Sequence, residues 1–345
     1  MEDERKKLLS NEIRHIDIKA FDSTQIIDAM GKMSFTARET ARAAELLDNM
    51  LKDRNCSTWL TLAGSTSAAG CMQVYVDMVK SNMVDAVVST GASIVDMDFF
   101  EAIGFKHYIG TKDVDDNRMR SLYIDRIYDT FIDEKQLQEC DAAVKKVADG
   151  MKPGSYSSRE FIKEMGAWLV KNSRKKDSLI QACYENNVPI FCPAFSDCSA
   201  GFGLAMHQDA RIKEKKDYVR IDSVKDFREL TKIKMEAKDT GLFMIGGGVP
   251  KNFAQDTVIC AEVLGKNVPM HKYVVQITVA DVRDGACSSS TLKEASSWGK
   301  VDTRNEQMVY AEATSVLPAI VSYAYHKGSW KGRQKREWAK IFGRE

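Results

Sequence analysis

Proline is scarce in this chain of 345 residues: only six occur, and none precedes Pro153. The first half therefore accommodates long helices without an internal break. Charge of one sign is lacking too. Lys plus Arg total 50 against 49 Asp plus Glu, a net charge of +1. A nucleic-acid binder usually carries a basic excess, so that role would need a local patch. No run approaches the ~18 uninterrupted apolar residues of a membrane-spanning helix. The opening MEDERKKLLSNE lacks the apolar stretch of a secretory signal. The eight cysteines, at positions 56, 71, 140, 183, 192, 198, 260 and 287, form no C-x-x-C pair. Most lie in apolar surroundings and read as buried, reduced thiols, which favours a cytoplasmic protein. The five histidines (15, 107, 207, 271 and 326) offer no ligand spacing, so no metal is expected. Repeats and low-complexity linkers are absent.

What is present is a globular balance, 44% apolar and 29% charged. Residues 34–52 put Ala41, Leu46, Leu47, Met50 and Leu51 at helical spacing. Ser158 can cap a second helix, in which Phe161, Ile162, Met165, Trp168 and Leu169 form one apolar stripe. Five short apolar runs read instead as strands: 59–63, 85–90, 188–193, 242–245 and 273–279. They lack clean alternation, as strands covered on both faces do. Strand and helix alternate, which predicts a doubly wound, Rossmann-like α/β fold: a mostly parallel sheet with helices on both faces, in one elaborated domain. Residues 1–14 form a charged N-terminal segment. The segment 326–345 is expected as a basic C-terminal helix whose buried face is Trp338, Ile341 and Phe342, although its seven basic residues can also meet phosphates or an acidic partner.

Ligands of open α/β sheets bind beyond the carboxyl ends of strands. Here four such ends carry small residues: 64–70 (GSTSAAG), 91–93 (GAS), 194–201 (AFSDCSAG) and 246–248 (GGG). Small residues let the backbone approach a phosphate closely. No G-x-G-x-x-G follows the first strand, so the pattern implies a nucleotide without choosing NAD over other phosphates. Asp96, Asp98 and Asp197 accompany these turns; they can bind ribose hydroxyls or a cationic substrate, or simply cap helices.

The densest chemistry lies in residues 281–300, DVRDGACSSSTLKEASSWGK. Asp284, Glu294, Trp298 and Lys300 fall close together among hydroxyls. A tryptophan beside a lysine can exclude water and stack on a cation. Desolvation favours the neutral amine, which can form an imine with a carbonyl or iminium carbon.

The segment E-A-S-S-W-G-K (294–300) resembles the active-site segment of deoxyhypusine synthases. Blocks 81–92, 189–201, 244–251 and 310–318 are similar to family blocks and follow in family order, over roughly residues 15–325. The superfamily includes homospermidine synthases and bacterial deoxyhypusine synthase-like proteins. The resemblance implies an NAD-binding domain over 15–325 and NAD-dependent transfer of an aminobutyl group from spermidine or a related polyamine. It implies Lys300 as the lysine that carries the fragment as an imine. Trp298 would pack along the polyamine, with Asp284 and Glu294 at its ammonium ends and Ser288 nearby. NAD would contact Ser65, Thr66, Thr90, Gly91, Asp96, Asp197, Gly247 and Gly248, with Glu312 beside the adenosine. The acceptor would be the lysine of the hypusine-bearing translation factor or a small amine such as putrescine, and the assembly a homotetramer.

Three departures from the eukaryotic pattern bear on chemistry. Asn252 stands where those enzymes carry a histidine, and asparagine cannot relay a proton near pH 7. Phe202 replaces a polyamine-binding aspartate. Asp256 replaces an asparagine and restores a negative charge close by. The pocket is thus retained but rearranged. An NAD-linked amine dehydrogenase, and a polyamine- or NAD-binding protein without transfer, are the competing expectations.

Overall fold

The computed structural model describes residues 1–284 and 290–342. Six strands form its central sheet: β1 (Cys56–Leu62), β2 (Ala86–Ser89), β3 (Ile190–Phe191), β4 (Asp239–Ile245), β5 (Tyr273–Thr278) and β6 (Glu306–Tyr310). Their spatial order is β3-β2-β1-β4-β5-β6 and every pairing is parallel. This is the strand order of a dinucleotide-binding fold, with the direction of winding reversing between β1 and β4. The five expected strands are all present. The sixth, β6, was not anticipated: its run EQMVY is short, mixed in polarity and partly exposed, so it gives no apolar signal.

Successive strand residues divide between two cores. Leu60, Leu62, Val87, Phe243, Ile245, Val275 and Ile277 join one apolar cluster; Trp59, Ala86, Val88, Leu242, Met244 and Val274 join another. The first is covered by helices Phe35–Lys52 and Ala313–Lys327, the second by Ser223–Glu236, Gly248–Gln255 and Leu292–Ser297. Both faces being apolar is why no polar alternation marks these strands. The helix Phe35–Lys52 buries Ala41, Leu47, Met50 and Leu51 as its spacing predicts. The helix Ser158–Asn172 is capped by Ser157 rather than Ser158, in a reciprocal capping box with Glu160. Ser158 is instead the first helical residue, and its hydroxyl donates to buried Asp226 at 2.9 Å. Between β2 and β3 the chain adds a small antiparallel sheet of Ile124–Ile127, Thr130–Asp133 and His107–Ile109.

The C-terminal segment departs from expectation. Gly328, at φ +76°, ends the helix Ala313–Lys327, and among the described residues only the short 3₁₀ turns Ser329–Gly332 and Trp338–Ile341 follow. Two of its basic side chains, Arg333 and Arg336, are engaged by the sheet, while Lys331, Lys335 and Lys340 stay exposed. Arg333 pairs with Asp85 at 2.6 Å, both almost wholly buried. Arg336 donates to the carbonyls of Arg54 and Cys56, each at 2.9 Å. Trp338 donates to Ser57 at 2.9 Å and packs, with Ile341 and Phe342, on the second cluster. Long-range pairing with Asp85 therefore overrides a helical repeat.

Removing one partner of a buried ion pair leaves a stranded charge. Arg333→Ala should destabilise the chain by about 3–5 kcal/mol in urea unfolding. A loss below ~1 kcal/mol, the range of exposed pairs, would show that Asp85 finds solvent instead.

Candidate active site

The carboxyl ends of β1, β2, β3, β4 and β5 surround a cleft of about 490 Å³. The expected small-residue turns supply most of its wall: Gly64 and Ser65, Thr90 and Gly91, Ala194 and Asp197, and Gly246 to Gly248. The glycines serve distinct purposes. Gly246 (φ +74°) passes so close to β1 that a Cβ would meet the Ala63 carbonyl at 3.1 Å. A Cβ on Gly91 would lie 2.3 Å from Cys198 Sγ. Gly64 (φ +84°) and Gly248 (φ +62°) have no protein atom within 4 Å of a built Cβ, so their bare backbone faces open space. That is the cradle a diphosphate needs: backbone approach without side-chain obstruction, beside a helix N-terminus.

Of the nine residues assigned to the cofactor by resemblance, Ser65, Thr90, Gly91, Asp197, Gly247 and Gly248 line this cleft. The other three make protein contacts at its flank. Thr66 shares a hydrogen bond with the Tyr75 hydroxyl at 2.7 Å. Glu312 precedes the helix Ala313–Lys327, bonding the Thr314 hydroxyl and accepting from Ser315. Its charge adds to burial in pushing the Cys71 thiol up to about 12. Asp96 accepts the Ser199 amide at 2.7 Å, at the start of helix Ser199–Lys213, and so does the capping job open to it from sequence.

Lys300 lies away from the cleft: its carbonyl accepts the His271 amide, two residues before the amino end of β5. A capping box between Thr291 and Glu294 starts the short helix Leu292–Ser297; Trp298 ends it, and Lys300 follows, its amide held by the Ala295 carbonyl at 3.1 Å. The Lys300 side chain is 12% exposed and its Nζ sits 2.5 Å from Asp256 Oδ1. The Trp298 ring, 65% exposed, has its centroid 5.3 Å from that nitrogen. One element joins this pair to the cleft. Helix Gly248–Gln255 begins in the glycine cradle, carries Lys251 and Asn252, and ends at Asp256. Eight residues span ~12 Å. Asp284 is exposed on the loop after β5, Phe202 is 65% exposed on helix Ser199–Lys213, and Ser288 lies outside the described residues.

Lys251 is a group to which residue-level reasoning gave no role. It is fully buried and donates to the Ser290 carbonyl. Burial pushes its ammonium down to about 8, Lys300 adding to the effect while Glu294 opposes it. Its place in the G-G-G-V-P-K run was the only available signal. Six of the seven described cysteines are buried and all seven are unpaired. Among the described residues no helix is long and apolar enough to cross a membrane.

Asp96 offers a pH test. Burial pushes its carboxyl up to about 6, against the pull of the Ser199 amide. The folded chain then holds a proton that the unfolded chain releases near the ordinary value of 3.8. Its contribution to stability is complete below pH ~4 and lost as pH rises through ~6. Unfolding free energies of Asp96→Asn and the parent should therefore diverge over that window in the variant's favour; parallel curves would refute the shift.

Comparisons with known proteins agree with this architecture. The family model for deoxyhypusine synthase matches residues 25–324. The "Deoxyhypusine synthase-like protein" of Caulobacter vibrioides is 63% identical over 342 residues, covering 99% of this chain and 93% of its own. The "Probable deoxyhypusine synthase 2" of Methanosarcina mazei is 36% identical, covering 95% of this chain and 92% of its own. A solved Entamoeba histolytica structure described as a deoxyhypusine synthase superposes with a TM-score of 0.60 at 18% identity, covering 91% of this chain and 97% of that one, a likeness of fold.

Proposed function

We propose, given that the chain belongs to the deoxyhypusine synthase family, that it is an NAD-dependent transferase moving an aminobutyl group from spermidine, or a related polyamine, to an acceptor amine. The observation that carries this reading is the Lys300 amine, nearly buried, 2.5 Å from Asp256 and beside the Trp298 ring, at the far end of a helix that starts in a phosphate-sized cradle. Gly64, Ser65, Thr90, Gly91, Asp197, Gly247 and Gly248 would hold NAD, which when bound supplies the acceptor for the hydride that turns a secondary amine into an imine and later gives that hydride back.

The chain's own residues account for the transfer. A neutral Lys300 adds to the imine carbon, and Asp256 is placed to take the proton that the ammonium must first lose. Collapse of that adduct breaks the carbon–nitrogen bond to the leaving group; 1,3-diaminopropane departs with its electron pair and a proton. The aminobutyl fragment remains on Lys300 as an imine. An acceptor amine then adds to the same carbon and Lys300 leaves. Trp298 offers an aromatic wall, and Glu294 with Asp284 supplies negative charge for the ammonium ends of a polycation.

Asn252 offers no proton relay at the family's histidine position, so proton handling falls to Asp256. The acceptor is either a protein lysine or a small amine; putrescine would make the product homospermidine. Exposed Val249, Val279, Val282 and Trp298 (51%, 73%, 58% and 65%) surround the elements of the site. Such a surface suits cover by a second copy within a homotetramer. Unpaired, mostly buried thiols suit a cytoplasmic setting.

The test is a reaction of protein, NAD and spermidine, with and without putrescine, trapped with borohydride and read by mass spectrometry. Diaminopropane release with an aminobutyl adduct on Lys300 is expected, and homospermidine only when putrescine is present if the acceptor is small. Lys300→Arg should bind NAD as the parent does and form no adduct. Steady release of NADH without transfer would instead make the chain an amine dehydrogenase. Full transfer by the arginine variant would remove Lys300 from the mechanism.

A further inference from the structure

Behind the Lys300–Asp256 pair lies a wholly buried line of polar side chains that the chemistry above leaves unused. Lys234 Nζ donates to Thr240 Oγ1 at 2.6 Å. Thr240 Oγ1 and His271 Nδ1 are 2.8 Å apart, and His271 Nε2 is 3.2 Å from the Ala254 carbonyl. All three side chains are fully buried. The Trp59 ring meets the imidazole edge-on at 5.7 Å.

Hydrogen counting fixes the direction of every bond. The Ala254 carbonyl only accepts, so His271 Nε2 carries the ring hydrogen. In the neutral ring Nδ1 must then accept, and the Thr240 hydroxyl donates to it. Having one hydrogen, that hydroxyl must in turn accept from Lys234. Burial pushes the imidazole well below its ordinary value, with Lys234 adding, and pushes Lys234 itself down to about 7. An apolar side chain would fill the Lys234 site without this desolvation cost. What the amine adds is orientation of the Thr240 hydroxyl, and through it a single tautomer for His271.

Both ends of that imidazole's residue reach the reacting pair. The His271 amide donates to the Lys300 carbonyl and its own carbonyl accepts from the Asp302 amide, each at 3.0 Å. Its ring holds Ala254, two residues before Asp256, whose amide closes the same helix end on Asn252 at 2.8 Å. The residue therefore spans the backbone that bears Lys300 and the backbone that bears Asp256. We propose that His271, oriented by Lys234 through Thr240, is a positioning residue that sets the distance between Lys300 and Asp256 and so the reactivity of the Lys300 amine. The proposal rests on the reading of Lys300 as the reacting lysine.

The variants are His271→Ala, Lys234→Met and the conservative His271→Gln, whose amide can accept from Thr240 and donate to Ala254. The direct readout needs no turnover: trace acetylation of the full-length protein with acetic anhydride between pH 6 and 10, quantified lysine by lysine by mass spectrometry. In His271→Ala and Lys234→Met the Lys300 acetylation rate should change at least fivefold, while exposed Lys340 and Lys213 keep the parent's rates. His271→Gln should restore most of the difference. In the transfer assay the first two should lose about tenfold to a hundredfold in kcat, the scale of a misplaced reacting group, with KM for the amine donor within twofold. An unchanged Lys300 rate in folded Lys234→Met and His271→Ala, together with parental kcat, would overturn the proposal; so would an equal change at every lysine, which marks general loosening. If the parent forms no Lys300 adduct with any amine, the transferase reading fails, and the acetylation profile still decides whether His271 governs Lys300.

Discussion

The parallel register between β1 and β4 carries the rest of the structure. Seven consecutive pairs, from Cys56 with Asp239 to Leu62 with Ile245, align the two strands end to end. Because the alignment is exact at the carboxyl ends, the turn after β1 meets the turn after β4 across a gap with little side chain in it. Winding reverses at this pair, so the helices that follow β1 and β4 diverge and leave a crevice between them. A one-residue slip would turn every alternate residue of the two cores to the wrong face. The position of the cleft and the burial of both sheet faces are thus one constraint.

The second organising feature is the helix Gly248–Gln255. It is short enough that its first turn belongs to the cradle and its last to the lysine. The cradle at one end and the Lys300–Asp256 pair at the other then share a rigid link. Buried amines collect around it: Lys251 on its own face, and Lys234 behind its far end. Both are pushed toward the neutral form by burial.

Much of this was legible in one dimension. Apolar runs located β1 to β5, and small residues after four of them located the cleft before any coordinate. The E-A-S-S-W-G-K run placed Glu294, Trp298 and Lys300 in one segment. What failed did so for identifiable reasons. β6 is an edge strand with too little apolar content to show. The basic tail reads as a solvated helix until Asp85, some 250 residues earlier, is known to sit beneath Arg333. The resemblance implies cofactor contacts for the blocks around Thr66 and Asp96; what the sequence left open is that these side chains also bond Tyr75 and Ser199.

By itself the sequence determined what is periodic or local: which segments are strands, where the chain must turn on glycine, and which family's chemistry the segment around Lys300 resembles. Tertiary structure alone decided what depends on distant partners meeting in a low-dielectric interior. It selected Asp256 as the partner of Lys300, buried Lys251 beside them, and lined up Lys234, Thr240 and His271. Charge, hydrogen-bond direction and desolvation act through space over a few ångströms, and separation along the chain carries almost no information about them.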